Sequence, residues 1–250
     1  MECVALQFMY KIDTNQIQVG DDREGRLLKL MLSKISNELW GLAGSLRYAS
    51  YYSSFHHARS ILESYATLAY IFSDSLKQEK RIRKFSEFED VYKLNHYREC
   101  KEKLESGDIG KDEFNKRCQV SEEEVEELEE KEDEWIDLYD APNGDISNVK
   151  NWYKPANITN LFHFTESPEY LREIYDSLSK GTHFTPFGYN LTGGFFLMGY
   201  PMEEDGISID AIDRVVNTAL LSMSYLDNLM REEIGLDFEL EFESFPKEGA

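Results

Sequence analysis

The sequence predicts a mainly α-helical fold: a helical bundle with a protruding acidic helical pair and a small β element made from the chain termini. Three observations carry this. Apolar residues recur at three- and four-residue spacing through most of residues 23–105 and 168–233. Residues 122–134, EEEVEELEEKEDE, are almost wholly acidic, yet Val125, Leu128, Trp135 and Leu138 supply a thin apolar stripe. Only the two ends of the chain alternate with the period of a strand. The chain therefore reads as a single helical domain over residues 1–250, with residues 77–140 as a charged helical protrusion within it.

Residues 2–12, ECVALQFMYKI, place Val4, Leu6, Phe8 and Tyr10 on one side of an extended chain. After a turn at Asp13-Thr14-Asn15, residues 16–19 return as a short second strand. Leu236, Phe238, Leu240 and Phe242 alternate with acids in the same way, so the two ends are expected to share a sheet. A lone hairpin is marginal in water, and a third strand or a helix face has to support it. From Arg23 the period changes. Leu27, Leu28, Met31, Ile35, Leu39 and Leu42 make a helical stripe, which Gly41 and Gly44 are expected to interrupt. The next helix, over 45–74, contains FHHARSILESYATLA (residues 55–69), the stretch around which the chain is organised. Asp74-Ser75 ends it, and a further helix follows over 77–105, stopping near Ser106-Gly107. Ser121 is an N-cap for the acidic run, whose first glutamates suit the positive end of a helix dipole. Residues 141–145, APNGD, form a loop, and residues 157–164 a short helix. Ser167-Pro168 is a helix start for the segment carrying Tyr170, Leu171, Ile174, Tyr175 and Leu178 up to Gly181. Residues 184–206, rich in Gly, Pro and aromatics, read as a packed irregular segment. Ser208 caps a last helix over 208–233, with Ile212, Val215, Val216, Ala219, Leu220, Met223 and Leu226 on its core side.

Charge and cysteine usage bound the function. Lys and Arg number 27 against 48 Asp and Glu, a net charge of −21. Such a field repels nucleic-acid phosphates, so binding RNA or DNA requires a local basic patch. The best candidate is KQEKRIRK, Lys77 to Lys84. The acidic helices 121–138 offer a surface for a protein partner, the other reading being a solvated helix face. A homo-oligomer is compatible with the sequence. Cys3, Cys100 and Cys118 are odd in number and lack CxxC spacing, and the chain opens without a leader pattern. Reduced thiols and a cytoplasmic location are the expectation. No apolar run approaches the roughly 20 residues that a membrane-spanning helix needs. Phosphate-binding loops, GxSxG, HExxH and paired ExxH are all missing, so no cofactor is named and no residue is assigned to a metal.

The polar candidates lie on two helices. At about 100° per residue, Tyr51, Phe55, Ala58, Leu62, Tyr65, Ala69 and Phe72 form an apolar stripe. His56, Arg59 and Glu63 share a neighbouring arc about 60° wide, while His57 is expected to face solvent on the opposite side. Arg59 and Glu63 are four residues apart and therefore neighbours on the helix surface. Tyr175, Ser179 and His183 follow one another at the same interval and project to one side of the later helix. Packed together, the two helices would join a guanidinium, a carboxylate and an imidazole. Glu63 would hold His183 in one tautomer, His183 would act as general acid or base, and Arg59 would grip phosphate or carboxylate. The competing reading is an Arg–Glu pair with a histidine that satisfies backbone groups and fixes helix register. The catalytic candidates are Arg59, Glu63 and His183. The binding candidates are His56, Tyr175, Ser179 and Trp152.

Arg59-Ser60-x-x-Glu63 in a long helix, followed by Trp152 and then Tyr175-x-x-Leu178-Ser179-x-x-x-His183, resembles a bacterial all-helical family known only as a domain of unknown function. The likeness covers residues 35–230. In that family the Arg, Glu and His are the marked polar positions. The family is proposed to be distantly HEPN-like, although no Arg here precedes a His on one helix by the four to six residues of the HEPN ribonuclease pattern. The resemblance implies a stress- or phage-defence effector acting on RNA or a nucleotide. The alternative is a non-catalytic interaction module that uses the acidic arm.

Overall fold

The computed structural model describes residues 20, 22–48, 50–118, 120–153, 157–182 and 208–235. These residues are mainly helical, and no strand occurs among them. The sheet expected from residues 2–19 and 236–243 lies outside them, as does the irregular segment 184–206. The chain divides into two compact units, Met1–Asp74 with Ile158–Ala250, and Ser75–Asn157.

The first unit is built around one helix. α1 (Arg23–Arg47) and α2 (Tyr51–Phe72) are joined by a short connection, and α2 also packs against α7 (Pro168–Thr182), α8 (Ser208–Leu229) and a 3-10 segment, Ile158–Phe164. The C-terminal half of α2 is buried on every side: residues 64–72 have no exposed member. Its N-terminal half is different. Phe55, Ala58, Ile61, Leu62 and Tyr65 are buried, whereas His56 is exposed and Arg59, Ser60 and Glu63 are half-buried. A 3.6-residue period with a wide apolar arc and a narrow polar one produces this in the first turns. α7 presents Leu171, Tyr175 and Leu178 inward, and α8 presents Val215, Ala219, Met223 and Leu226. α8 ends in a single π turn, Met230–Ile234, closed by Gly235 at φ 72°.

α1 corrects the sequence reading in one respect. Gly41 and Gly44 do not interrupt it; the helix runs through both to Arg47. Its start is fixed by Asp22, whose Oδ1 accepts the Gly25 N–H at 2.8 Å. Gly41 serves proximity instead. A Cβ there would lie 2.2 Å from Cε1 of His57, so α1 can carry no side chain where the imidazole lies.

The second unit spans Ser75–Asn157 and has its own apolar core. α3 (Gln78–Glu105) packs against α4 (Lys111–Arg117), α5 (Glu122–Glu130), α6 (Glu132–Tyr139) and the 3-10 turn Ile146–Asn148. Val91, Leu94, Val125, Leu128, Trp135, Leu138, Tyr139 and Ile146 make the core. The acidic run is thus two helices meeting at Lys131, with the expected Ser121 cap accepting the Glu124 N–H at 3.1 Å. Some of its acids are internal partners. Arg98 bonds both carboxylate oxygens of Glu132, at 2.6 and 2.7 Å, and reaches Glu129. Arg83 joins Glu87 and Glu134, and Trp135 donates to Glu87 at 3.0 Å.

Candidate functional site

The site begins with the pair Arg59–Glu63 on α2. Four residues along a helix place their side chains side by side, and Nε of Arg59 donates to Oε1 of Glu63 at 2.9 Å. α7 then adds a third member. The Tyr175 hydroxyl accepts from Nη2 of Arg59 at 2.9 Å and donates to Oε1 of Glu63 at 3.0 Å. The Arg59 guanidinium carbon also stands 5.0 Å from the centre of the Tyr175 ring. Three side chains from two helices therefore close a triangle. Tyr175 is held from behind by Phe162, ring centres 5.2 Å apart, and is 5% exposed. Arg59 and Glu63 keep 23% and 27% of their side-chain surface in solvent. The triangle is anchored on its tyrosine side and open on its charged side.

Its electrostatics follow from that placement. Burial pushes the Tyr175 phenol up, and the Glu63 carboxylate adds to the effect against the opposing charge of Arg59. Burial works against the Arg59 charge, but Glu63 and Tyr175 outweigh it and hold the guanidinium above its ordinary value. Ser179, one turn beyond Tyr175, contributes a hydroxyl that favours the phenolate.

A second polar cluster occupies the opposite border of the same face. Nδ1 of His57 lies 2.7 Å from Oε2 of Glu38 on α1. Oε1 of Glu38 accepts the Ser60 hydroxyl at 2.9 Å. This corrects the expectation for the two adjacent histidines. His57 does not stand free in solvent; it is half-buried against α1, and His56 is the exposed one. The wheel gave the angle between them correctly but not the location of α1. Glu38 and Gly41 had no motif to mark them, and the missed signal was a glycine and a glutamate three residues apart on one helix face.

The other candidates are placed as follows. His183 lies outside the described residues. Trp152 belongs to the second unit, where it packs edge-on to Phe85 at 5.0 Å and to Tyr153 at 5.1 Å. The basic stretch Lys77 to Lys84 is drawn into that unit's own contacts: Lys80 and Lys84 reach Asp140, Arg83 reaches Glu87 and Glu134, and Arg81 is buried. Among the described residues, no group of three or more His, Cys, Asp or Glu side chains could hold a metal ion, and no helix is long and apolar enough to cross a membrane.

No curated protein and no solved structure matches the chain. A family model does match residues 45–193, which hold Arg59, Glu63, Tyr175 and Ser179. Because that match covers more than half of the 250 residues, the chain belongs to the family described as Family of unknown function (DUF5677).

Proposed function

We propose that the polar face of α2 is a binding site for a phosphate-bearing substrate, RNA or a nucleotide. Arg59 supplies the anion-binding group, Glu63 and Tyr175 orient it, and His183 beyond α7 supplies the acid or base. The observation that carries this reading is the triangle itself. A guanidinium fixed by two side chains on separate helices, yet part-exposed, loses little freedom when an anion arrives. In the acidic helices Glu124, Glu129, Glu132 and Glu134 pair with Lys93, Arg98 and Arg83, while Glu122, Glu123, Glu126, Glu127, Glu130, Asp133 and Asp137 are exposed and carry the alternative reading, a non-catalytic interaction module. The cellular role that accompanies the site is a stress- or phage-defence effector.

The test replaces Arg59 and His183 by Ala separately and reads both the melting temperature and toxicity or protection in cells. Lost function at an unchanged melting temperature supports the site. Lost stability with function retained in the remaining folded protein sinks it.

A further inference from the structure

The Glu38–His57–Ser60 cluster has the geometry of an oriented acid–base group. A histidine works as a proton acceptor when one ring nitrogen is held as a donor and the other is left with a lone pair facing a ligand. Here Nδ1 is engaged by Glu38 at 2.7 Å, which favours the tautomer with its proton on Nδ1. Among the described residues, Nε2 makes no hydrogen bond. The Ser60 hydroxyl donates to the other oxygen of the same carboxylate at 2.9 Å, which favours the orientation that faces His57. The imidazole lies directly against Gly41, where a Cβ would come within 2.6 Å of both ring nitrogens. The ring's tilt is therefore set by backbone as well as by charge. About a quarter of both side chains remains in solvent, 27% for His57 and 23% for Glu38, so a ligand can reach them.

The cluster also has a place relative to Arg59. Around α2, the polar arc runs from Arg59 through Glu63, exposed His56 and Ser60 to His57. Arg59 and His57 are the two rims of this arc, about 160° apart around α2, so a ligand that reaches both lies across the exposed His56 side of the helix.

Building on the α2 reading above, we propose that His57 is a proton acceptor for a phosphate-bearing ligand with a hydroxyl group, with Glu38 as its positioning residue. Arg59 takes the phosphate and Nε2 of His57 takes a hydrogen bond from the ligand's hydroxyl. When that hydroxyl ionises, its O–H bond breaks, the proton moves to Nε2 and the electron pair stays on the ligand oxygen. Glu38 balances the imidazolium that results. Glu38 and Gly41 precede the family match over residues 45–193, so this half of the site is contributed by α1.

The experiment uses the full chain with its histidines labelled with nitrogen-15. Nitrogen–proton correlation spectra report the tautomer of each ring, with the His57→Gln variant assigning the signal. The expected result is His57 with its proton on Nδ1, changing to Nε2 in Glu38→Ala. Inorganic phosphate, adenosine 5′-monophosphate and an RNA trinucleotide are then titrated in. The trinucleotide should shift the Nε2 signal of His57, whereas phosphate alone should not. Arg59→Ala should weaken all three probes at least tenfold, and His57→Gln should weaken the trinucleotide more than it weakens inorganic phosphate. Finding the proton on Nε2 in the free protein overturns the His57 assignment and leaves the Arg59 reading standing. A trinucleotide that binds without moving the His57 signal does the same. If none of the probes binds, the Arg59 reading fails, and the ligand class named here falls with it.

Discussion

Tyr175 joins two hydrogen bonds on one oxygen, accepting from Arg59 and donating to Glu63. Its hydroxyl can be removed without disturbing its ring, which Phe162 supports. Tyr175→Phe then leaves Arg59 and Glu63 paired with each other, so the loss is one shared bridging group. Its cost should be about 1 kcal/mol, or a melting temperature lower by about 2–4 °C in a chain of this size. Glu63→Ala is a different change. It leaves the guanidinium without its carboxylate and the phenol without its acceptor, both part-buried. A group stranded in this way costs about 1–3 kcal/mol. Calorimetry on the two variants should therefore rank Glu63→Ala as the more damaging. The reverse ranking would mean that the ring-side contacts, and not the carboxylate, organise the triangle.

At the scale of a helix, α1 and α2 show what a sequence pattern can and cannot carry. The apolar stripes of α1, α2, α7 and α8 were legible, because each buries one arc against neighbours and the 3.6-residue period records that arc. The triangle's members were legible for a related reason: Arg59 with Glu63, and Tyr175 with Ser179, are each one turn apart. The partner of His57 was not legible. Which border of α2 meets α1 depends on the path of the chain between Arg47 and Tyr51, and no periodicity encodes that. In the sequence Gly41 and Gly44 both look like breakers, because a glycine looks the same whatever stands across from it. In the structure they differ, and alanine substitution separates them. A Cβ at Gly44 meets nothing within 4 Å, so Gly44→Ala gains helix propensity of about 0.5–1 kcal/mol. A Cβ at Gly41 meets the His57 ring at 2.2 Å, so Gly41→Ala has to push the imidazole off Glu38. Thermal unfolding should show Gly44→Ala raising the midpoint and Gly41→Ala lowering it. The histidine spectra should show His57 disturbed only in the second.

At the scale of the whole molecule, both units close their cores with buried tyrosines, Tyr65 and Tyr175 in the first and Tyr139 in the second. Burial pushes all three phenols up. Tyr139 donates its hydroxyl hydrogen to the Lys84 carbonyl at 2.6 Å, a bond that its ionised form cannot make. The consequence for stability has a definite sign. Each phenol holds its proton more tightly in the folded chain than in the unfolded one, where it titrates near the ordinary value of about 10. Below that value the two states bind equal numbers of protons and the contribution is fully present. Above it the unfolded chain releases protons that the folded chain keeps, and stability falls as the pH rises. Ionisation would also add negative charge to a chain already at −21, so self-repulsion acts in the same direction. Raising the pH above about 10 should therefore lower the melting temperature steadily. The tyrosinate absorbance of these three residues, out of 15 tyrosines, should appear together with the loss of helical circular dichroism and not before it. Lysines titrate in the same range, so Tyr65→Phe and Tyr139→Phe serve to separate the two effects: each variant should show a shallower alkaline decline than the parent chain. Tyrosines that all ionise at the ordinary value while the helical signal stays intact would show that the two cores admit water to their phenols.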